Sequence, residues 1–311
     1  MTAETLSVVA FPGAPNLPTF AALELGFFAR HGVEVTLELT TSSVAQATSV
    51  ASGEYDIAFT AFDNVVAYST GQGSAGAGID PEYIVIMGAT QLELSLVTAR
   101  DVREHQDLIG RSIALDALNT GFAFVLYQML DAEGVEVDDC FLAAVGATPR
   151  RWKTVRSGEH SATLTIEPFT SLAQAEGFRV IDTSAMRFDA YQGGVVAARR
   201  SALTQKSRAI RGLIAGYLEG LDWVLEPANR NEATELLQRH MEIADEAISA
   251  VMSSLLAPES GLTPGARLLP EGMRTVLELR SRYGAGSVPD DAESFCDLSL
   301  WEAVFNSRGQ E

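Results

Sequence analysis

The sequence predicts an α/β protein built of two similar lobes with a ligand cleft between them. The order strand, loop, helix, strand, helix, strand occurs twice, and both copies contain the same Ser-Gly-Glu phrase before their last strand, at residues 52–54 and 157–159. Two such units joined by extended segments form a cleft, and clefts of this kind commonly bind small molecules. Amphipathic helices after the second unit predict a helical layer that packs on the first lobe.

The first copy begins with a short apolar run at residues 6–11, which predicts a strand. A loop with prolines and a glycine follows at residues 12–18, and an apolar-periodic helix follows at residues 20–28. A second strand at residues 33–39, a second helix and a closing strand at residues 55–60 complete the unit.

The second copy repeats these elements in the same order. Residues 112–116 predict its first strand, residues 119–121 a turn, and residues 122–130 a helix. Residues 141–145 predict the next strand and residues 162–165 the closing one. The two copies share the order of their strands and helices far more than residue identity, so they predict lobes of the same topology.

Two extended segments are predicted to link the lobes. Residues 94–97 form the first crossover, and residues 191–198, with glycines at their entry, form the second. The chain therefore divides into a discontinuous lobe one, residues 1–92 and 193–311, and a lobe two, residues 93–192.

The chain after the second crossover is predicted to be helical. Prolines separate helices at residues 207–225, 231–240, 245–256 and 271–283. The first of these carries a stripe at the helical period that predicts a face packed on lobe one, formed by Ile210, Leu213, Ile214, Tyr217, Leu218 and Leu221.

Composition excludes several classes of protein. The chain has 311 residues, 47% of them hydrophobic and 20% charged, which predicts a sizeable core, and its formal net charge is −19. Nucleic acid requires a basic surface, so no nucleic-acid partner is expected. No apolar stretch approaches the length of a membrane span, so no membrane insertion is expected. The G-x-G-x-x-G match at residues 71–76 follows a predicted helix instead of a strand, which argues against a dinucleotide site.

Cysteine usage and the N-terminus bear on the compartment. Cys140 and Cys296 have no paired spacing, which gives no support for a zinc site and leaves one long-range disulfide open. The first five residues carry neither a basic region nor an apolar segment, so the chain as written shows no signal peptide. A trimmed leader would predict a periplasmic protein, and a native start would predict a cytoplasmic one.

Four motifs resemble those of bacterial periplasmic binding proteins for sulfonates, nitrate, taurine and thiamine-precursor pyrimidines. They lie at residues 16–28, 52–58, 110–114 and 144–150, in the order and at the spacing of that family. The resemblance implies a type II periplasmic-binding-protein fold that closes around a small molecule as the solute-binding component of an ABC transporter. It also implies a permease partner, a monomer, and neither cofactor nor metal.

The cleft residues follow from the rule that ligands bind outside the carboxyl ends of the strands. Applied to both units, the rule selects loops at residues 11–16, 62–64, 116–122 and 167–169. The two crossovers add one residue each. The predicted ligand-binding residues are Pro12, Asn16, Phe62, Asp63, Asn64, Gln91, Asn119, Thr120, Gly121, Phe122, Glu167 and Tyr191.

The repeat places two carboxylates, Asp63 and Glu167, at equivalent positions across the cleft. No lysine or arginine lies in the four loops, although a sulfonate would normally be held by an arginine fork. The N-terminus of the helix after Thr120 could bind an anion through backbone N–H groups. Aromatic rings with carboxylates nevertheless favour a planar heterocyclic or aromatic ligand, or an amine.

Some of these residues have structural alternatives. Phe62 and Phe122 could pack in the lobe cores, and Asp63 and Asn119 could be helix caps. Glu167 is harder to assign to structure alone, because a carboxylate after a buried strand needs a partner.

An enzyme on the same fold is the alternative function, as a decarboxylase, a desulfinase or a relative of the pyrimidine synthases. No cysteine lies in the cleft loops, and the four histidines lie outside them, so no catalytic group or metal-ligand cluster is recognised. The residues therefore favour a binding protein over an enzyme.

Overall fold

A computed structural model describes residues 4–308, which form a mixed α/β structure with two five-stranded sheets. The first sheet has the order β2-β1-β3-β10-β4 and the second the order β7-β6-β8-β5-β9. The strands of the first sheet are β1 (Glu4–Ala10), β2 (Val33–Leu39), β3 (Ile57–Ala61), β4 (Tyr83–Thr90) and β10 (Gly194–Arg199). Those of the second are β5 (Ser95–Thr98), β6 (Ser112–Leu115), β7 (Phe141–Ala144), β8 (Ala162–Thr165) and β9 (Arg179–Thr183).

Fourteen α-helices lie within residues 4–308. The first eight are α1 (Leu17–Glu24), α2 (Phe27–Arg30), α3 (Ser43–Ala51), α4 (Phe62–Ser69), α5 (Gly121–Ala132), α6 (Thr148–Arg156), α7 (Phe169–Ala175) and α8 (Ser184–Arg187). The others are α9 (Arg200–Gln205), α10 (Ser207–Leu225), α11 (Arg230–Met241), α12 (Asp245–Leu255), α13 (Pro270–Tyr283) and α14 (Ser299–Arg308).

The predicted repeat is confirmed by the strand order, which is the same in both sheets. Three parallel strands, β2-β1-β3 or β7-β6-β8, come first in each. The fourth strand of each sheet is antiparallel to its neighbours and directly follows a crossover between the sheets: β10 in the first and β5 in the second. Each lobe therefore takes one strand from the segment by which the chain enters it.

The repeated Ser-Gly-Glu phrase is a helix C-terminus in both lobes. Gly53 and Gly158 have φ angles of 85° and 79°, a left-handed conformation that favours glycine. After α3, the N–H of Glu54 bonds to the carbonyl of Ser49 and that of Gly53 to the carbonyl of Val50, and the equivalent pair of bonds follows α6. This pattern is the Schellman motif, so the phrase stops each helix and directs the chain into the closing strand.

Three details of the sequence-based prediction are wrong. The helix expected at residues 20–28 is divided into α1 and α2, because Gly26 adopts a φ of 73°. Residues 95–97 belong to β5 of the second sheet, so the first link between the sheets is residues 91–94. The closing helix α14 was not predicted.

The C-terminal helices pack mainly on the first lobe, as predicted. Helix α10 has the predicted bounds, and its apolar stripe is fully buried against α1 and α2. Helices α12 and α13 differ, because α12 packs on α7 of the second lobe, and α13 packs on α4 of the first lobe and also on α5 of the second. One apolar cluster therefore runs through both lobes along α4, α5 and α13. The exact lobe boundaries at residues 92 and 192 stay a prediction.

None of the helices between residues 4 and 308 combines the length and the apolar character needed to cross a membrane. Residues 1–3, on which part of the leader question depends, lie outside the described residues.

Candidate functional site

A cavity of about 90 Å³ lies between the two lobes, at the carboxyl ends of their strands. Most of its wall is apolar or backbone, with three phenylalanines, Phe11, Phe59 and Phe122, among its residues. Other apolar side chains in the wall include Leu92, Ile166 and Val195. Its polar side chains include Asn16, Ser43, Thr60, Asn64, Thr90, Asp116, Thr120, Thr148 and Arg151.

The lobes are closed on each other around this cavity. The N–H of Ala14, after β1, donates to the carbonyl of Glu167, after β8, at 2.9 Å. The N–H of Ala147, before α6, donates to the carbonyl of Thr41, after β2, also at 2.9 Å. Because each bond joins one lobe to the other, separating the lobes would break both.

Two carboxylates cross the cleft in opposite directions, and each binds a helix N-terminus of the other lobe. Asp63, in the first turn of α4, accepts a hydrogen bond from the N–H of Gly121, the first residue of α5, at 2.5 Å. Asp116, after β6, accepts one from the N–H of Ser43, the first residue of α3, at 2.9 Å. A helix N-terminus carries partial positive charge, which favours these carboxylates. We call this arrangement the reciprocal clasp.

Asp63 also forms a buried ion pair with Arg280 of α13. Arg280 Nε donates to Asp63 Oδ1 and its Nη2 to Asp63 Oδ2, both at 2.6 Å, and each side chain is 1% exposed. The same Nη2 donates to the carbonyl of Asn119 in the second lobe at 3.1 Å. The guanidinium lies over the ring of Phe124 at 4.9 Å. The pair therefore holds both lobes by charge-assisted bonds.

Arg151 of α6 is a buried cation in the cavity wall, only 2% exposed. Its Nε donates to Thr163 Oγ1 at 3.1 Å, and its Nη1 to the carbonyl of Gly146 at 2.8 Å. Its Nη2 donates to Thr148 Oγ1 and to the carbonyl of Leu164, each at 3.0 Å. Burial lowers the pKa of Arg151 to about 10, against an opposing effect of nearby Asp116, so the guanidinium stays protonated at neutral pH.

Gly121 is a point of unusually close approach between the lobes. A Cβ atom at this position would lie 2.6 Å from Cβ of Asp63 and 2.8 Å from its Cγ. Only a residue without a side chain allows α5 to come this near to α4.

Five of the twelve predicted site residues line the cavity: Asn16, Asn64, Thr120, Gly121 and Phe122. Asn16 and Asn64 are oriented by their own hydrogen bonds. Asn16 Nδ2 donates to the carbonyl of Phe11 at 2.7 Å, and Asn64 Nδ2 donates to Thr60 Oγ1 at 3.0 Å.

Three other predicted residues are used in structural contacts. Phe62 is fully buried and packs edge-on against Phe295, 6.1 Å away, because α4 turns it into the core. Asp63 is occupied by Arg280 and Gly121. Asn119 ties the lobes together instead, since its Oδ1 accepts a hydrogen bond from Ser74 at 2.5 Å.

The remaining four also lie outside the cavity wall. Tyr191 is buried beside the second crossover and stacks on Phe188, while Gln91 Nε2 donates to the carbonyl of Pro258 at 3.1 Å. Pro12 lies between two wall residues without lining the cavity itself. The backbone carbonyl of Glu167 accepts the hydrogen bond from Ala14 that joins the two lobes. Whether these residues contact a ligand stays a prediction.

The Glu167 carboxylate turns back onto α7. It accepts hydrogen bonds from Ser171 Oγ at 2.9 Å and from the Ser171 N–H at 3.3 Å. Burial raises the pKa of Glu167 above its usual value, although the Ser171 bonds partly oppose this.

Replacing Glu167 by glutamine should therefore change stability in a pH-dependent way. A carboxyl whose pKa is raised by folding stabilises the fold most at low pH, and this contribution is lost as the pH rises through the raised pKa. The melting temperature of Glu167→Gln relative to that of the parent should therefore increase between about pH 4 and pH 7. Calorimetric melting across this range measures the difference. A difference independent of pH would contradict the assignment.

Sequence reasoning missed Ser43, Arg151 and Arg280. The first two follow the edge strands β2 and β7, whose carboxyl ends obey the same rule as the four loops that were considered. Cys140 and Cys296 are both free, and neither lines the cavity, which answers the open question of a disulfide.

Comparisons with known proteins agree with this architecture. The sequence model of the NMT1-like family matches residues 3–238. No curated protein matches the sequence. Many solved structures share the fold.

Three of these structures illustrate the similarity. The periplasmic nitrate-binding protein NrtA from Synechocystis PCC 6803 is 13% identical, covering 98% of this chain and 89% of that one, with a TM-score of 0.81. A zinc-bound ligand-binding component of an ABC-type import system from Staphylococcus aureus is 10% identical, covering 97% and 99%, with a TM-score of 0.78. The alkanesulfonate-binding protein SsuA from Xanthomonas axonopodis pv. citri, bound to MOPS, is 11% identical, covering 98% of each chain, with a TM-score of 0.73. At these identities the likeness establishes the fold.

Proposed function

The chain belongs to the NMT1-like family, and from that premise we propose that it is the substrate-binding component of an ABC import system. The structures that share its fold include a ligand-binding component of such a system and binding proteins for nitrate and alkanesulfonates. The finer proposal concerns what this particular cleft binds and how it closes.

The observation that carries the proposal is the cavity between two lobes that are joined by polar contacts across the cleft. The bonds of Ala14 and Ala147 and the two bonds of the reciprocal clasp all form between lobes, around the same space. A ligand held in this space would contact both lobes and so favour the closed form over the open one. Such closure would distinguish the loaded protein from the empty one.

The ligand we propose is a planar heterocyclic or aromatic molecule, or an amine-bearing one. An anion would use the helix N-termini that face the cleft. In this protein the N–H of Gly121 and that of Ser43 are already bound by Asp63 and Asp116. Protein carboxylates therefore occupy two positions that suit a bound anion, and the phenylalanines of the wall suit a ring.

The proposal extends to the compartment and the partners of the protein. We place the protein in the periplasm, as a monomer that delivers its ligand to a membrane permease. Residues 91–94 and the segment before β10 would serve as hinges, because they connect the two sheets.

Closure should be visible in solution. A thermal-shift screen of pyrimidines, aromatic acids, amines, sulfonates and polyamines should find a compound that raises the melting temperature. At a hundredfold excess over Kd the gain is about 2.7 kcal/mol. Small-angle scattering with that compound should then give a smaller radius of gyration than the free protein. An unchanged radius at saturation would contradict the closing mechanism.

Gly121→Ala tests closure without removing any charged group. The added methyl group would collide with Asp63 in the closed form only, so the variant should keep its melting temperature to within a few degrees and lose the ligand-induced decrease in radius. Gly78→Ala is the control, because no atom lies within 4 Å of a Cβ at that position. If Gly121→Ala closes like the control, the contact seen here is not part of closure.

A further inference from the structure

Two polar atoms of the cavity residues are buried and lack partners. Asp116 Oδ1 and Ser43 Oγ form no hydrogen bond with any described residue, although both residues line the cavity. Ser43 is only 3% exposed. A buried carboxylate oxygen left without a donor costs free energy, so a site that retains one has an acceptor available for something else.

The orientation of Asp116 is fixed by the reciprocal clasp. Its other oxygen, Oδ2, accepts the N–H of Ser43 at 2.9 Å. The carboxylate therefore cannot turn freely, and Oδ1 is held in a defined place when the lobes close. The direction of the Asp116 carboxylate is thus set by Ser43 of the first lobe, while the Asp116 backbone belongs to the second lobe.

Arg151 is the cationic group that shares the cavity wall with Asp116. Four of its hydrogen bonds go to protein acceptors, and a guanidinium has five N–H donors, so one donor is left over. The wall thus offers one unused acceptor of negative charge and one unused donor of positive charge. A cationic ligand would be opposed by Arg151 and an anionic one by Asp116.

We propose that Asp116, set by Ser43, is the specificity-determining residue of the cleft, and that it accepts an N–H of a neutral ligand carrying a hydrogen-bond donor next to an acceptor. A carboxamide or a lactam is the simplest such group, with its N–H on Asp116 and its carbonyl toward Arg151. The proposal rests on the binding function proposed above and narrows its ligand class.

The cavity sets the size of the ligand. Its volume of about 90 Å³ is below the ~150 Å³ of a cavity known to hold benzene, so the closed form shown here suits a group of acetamide size. A ring-bearing amide such as benzamide would hold the lobes slightly further apart, with its ring among the phenylalanines of the wall.

Matched compounds separate charge from size. At pH 7, calorimetric titration would compare acetamide with acetate, and benzamide with benzoate, benzylamine and acetophenone. The amide of each size should bind more tightly than the carboxylate of the same shape. Acetophenone, which accepts a hydrogen bond but donates none, should bind less tightly than benzamide.

Asp116→Asn supplies the decisive comparison. Its amide oxygen can still accept the Ser43 N–H, while its NH₂ group replaces the free acceptor by a donor. Amide affinity should fall about 10- to 100-fold, the loss of one hydrogen bond to a charged group, and the preference for amide over carboxylate should reverse. The control is Asp101→Asn, which removes the same charge from an exposed carboxylate of the same lobe and should leave the affinities unaltered.

Three results would overturn the proposal: tighter binding of the carboxylates than of the amides by the parent protein, an unchanged preference in Asp116→Asn, or no binding of either amide. These outcomes are distinct from failure of the binding function. If a sulfonate or an amine from the wider screen closes the lobes while the amides do not, the protein binds a solute and only the role of Asp116 is wrong. If no compound of any class closes the lobes, the binding function itself fails.

Discussion

Replacing Arg280 by methionine should lower the free energy of unfolding by about 3–5 kcal/mol, because Asp63 would remain buried without its counter-ion. Both side chains are 1% exposed, and two bonds of 2.6 Å join them. The variant also loses the donor to the Asn119 carbonyl, so the closed form should be weakened along with the fold. Denaturant titration of the purified protein measures the loss.

The double variant separates the ion pair from simple packing. Asp63→Asn alone leaves Arg280 uncompensated and should also be strongly destabilising. Asp63→Asn combined with Arg280→Met should cost much less than the sum of the two single changes, because no unpaired charge remains. Arg156→Met, which breaks an exposed pair with Glu176, should cost only about 0–1 kcal/mol. Additive losses in the double variant would show that the pair is not coupled.

Much of the fold could be predicted because it is encoded locally and twice. The strands follow from short apolar runs, and helix α10 has the predicted bounds because its period is sustained over many turns. The Ser-Gly-Glu phrase reappears because each lobe must end a helix and start a strand in the same way, and glycine supplies the left-handed residue that this requires.

The site was only partly predictable. The rule for the carboxyl ends of strands found Asn16, Asn64 and the loop around Thr120, which line the cavity. It could not show that Asp63 would be neutralised, because its partner Arg280 is distant in sequence and lies on a helix expected to be outer packing. The available signal was the position of Arg280 on the apolar face of α13, seven residues after Met273 and four after Val276, where a charge requires a buried partner.

Arg151 brings a cation into the cavity wall from outside the four loops that the sequence rule selected. The four loops considered contain no lysine or arginine, and Arg151 reaches the cavity from the first turns of α6, after an edge strand. Its acceptors are the Gly146 carbonyl before α6, the Thr148 hydroxyl in α6, and the Thr163 hydroxyl and Leu164 carbonyl in β8, the middle strand of the second sheet. A buried guanidinium bound to neutral acceptors is set by tertiary packing that the sequence pattern does not display.

Arg151→Met should accordingly destabilise the protein by about 3 kcal/mol and weaken ligand binding. It removes the guanidinium donor from two carbonyls and two hydroxyls around α6 and β8, and each buried group left unsatisfied costs about 1–3 kcal/mol, partly offset by removal of a buried charge. Denaturant titration measures the loss of stability, and calorimetric titration with benzamide measures the loss of affinity.

Arg151→Lys should recover less than half of the lost stability. Lysine restores the charge, but a single ammonium cannot reach acceptors that the planar guanidinium contacts through three nitrogens in a fixed geometry. Arg150→Met, at the exposed neighbouring position, is the matched control and should change stability by no more than about 0.5 kcal/mol. If lysine restored both stability and benzamide affinity, charge alone would suffice at this position. The fixed set of four protein acceptors would then not be what holds Arg151 in the wall of the cleft.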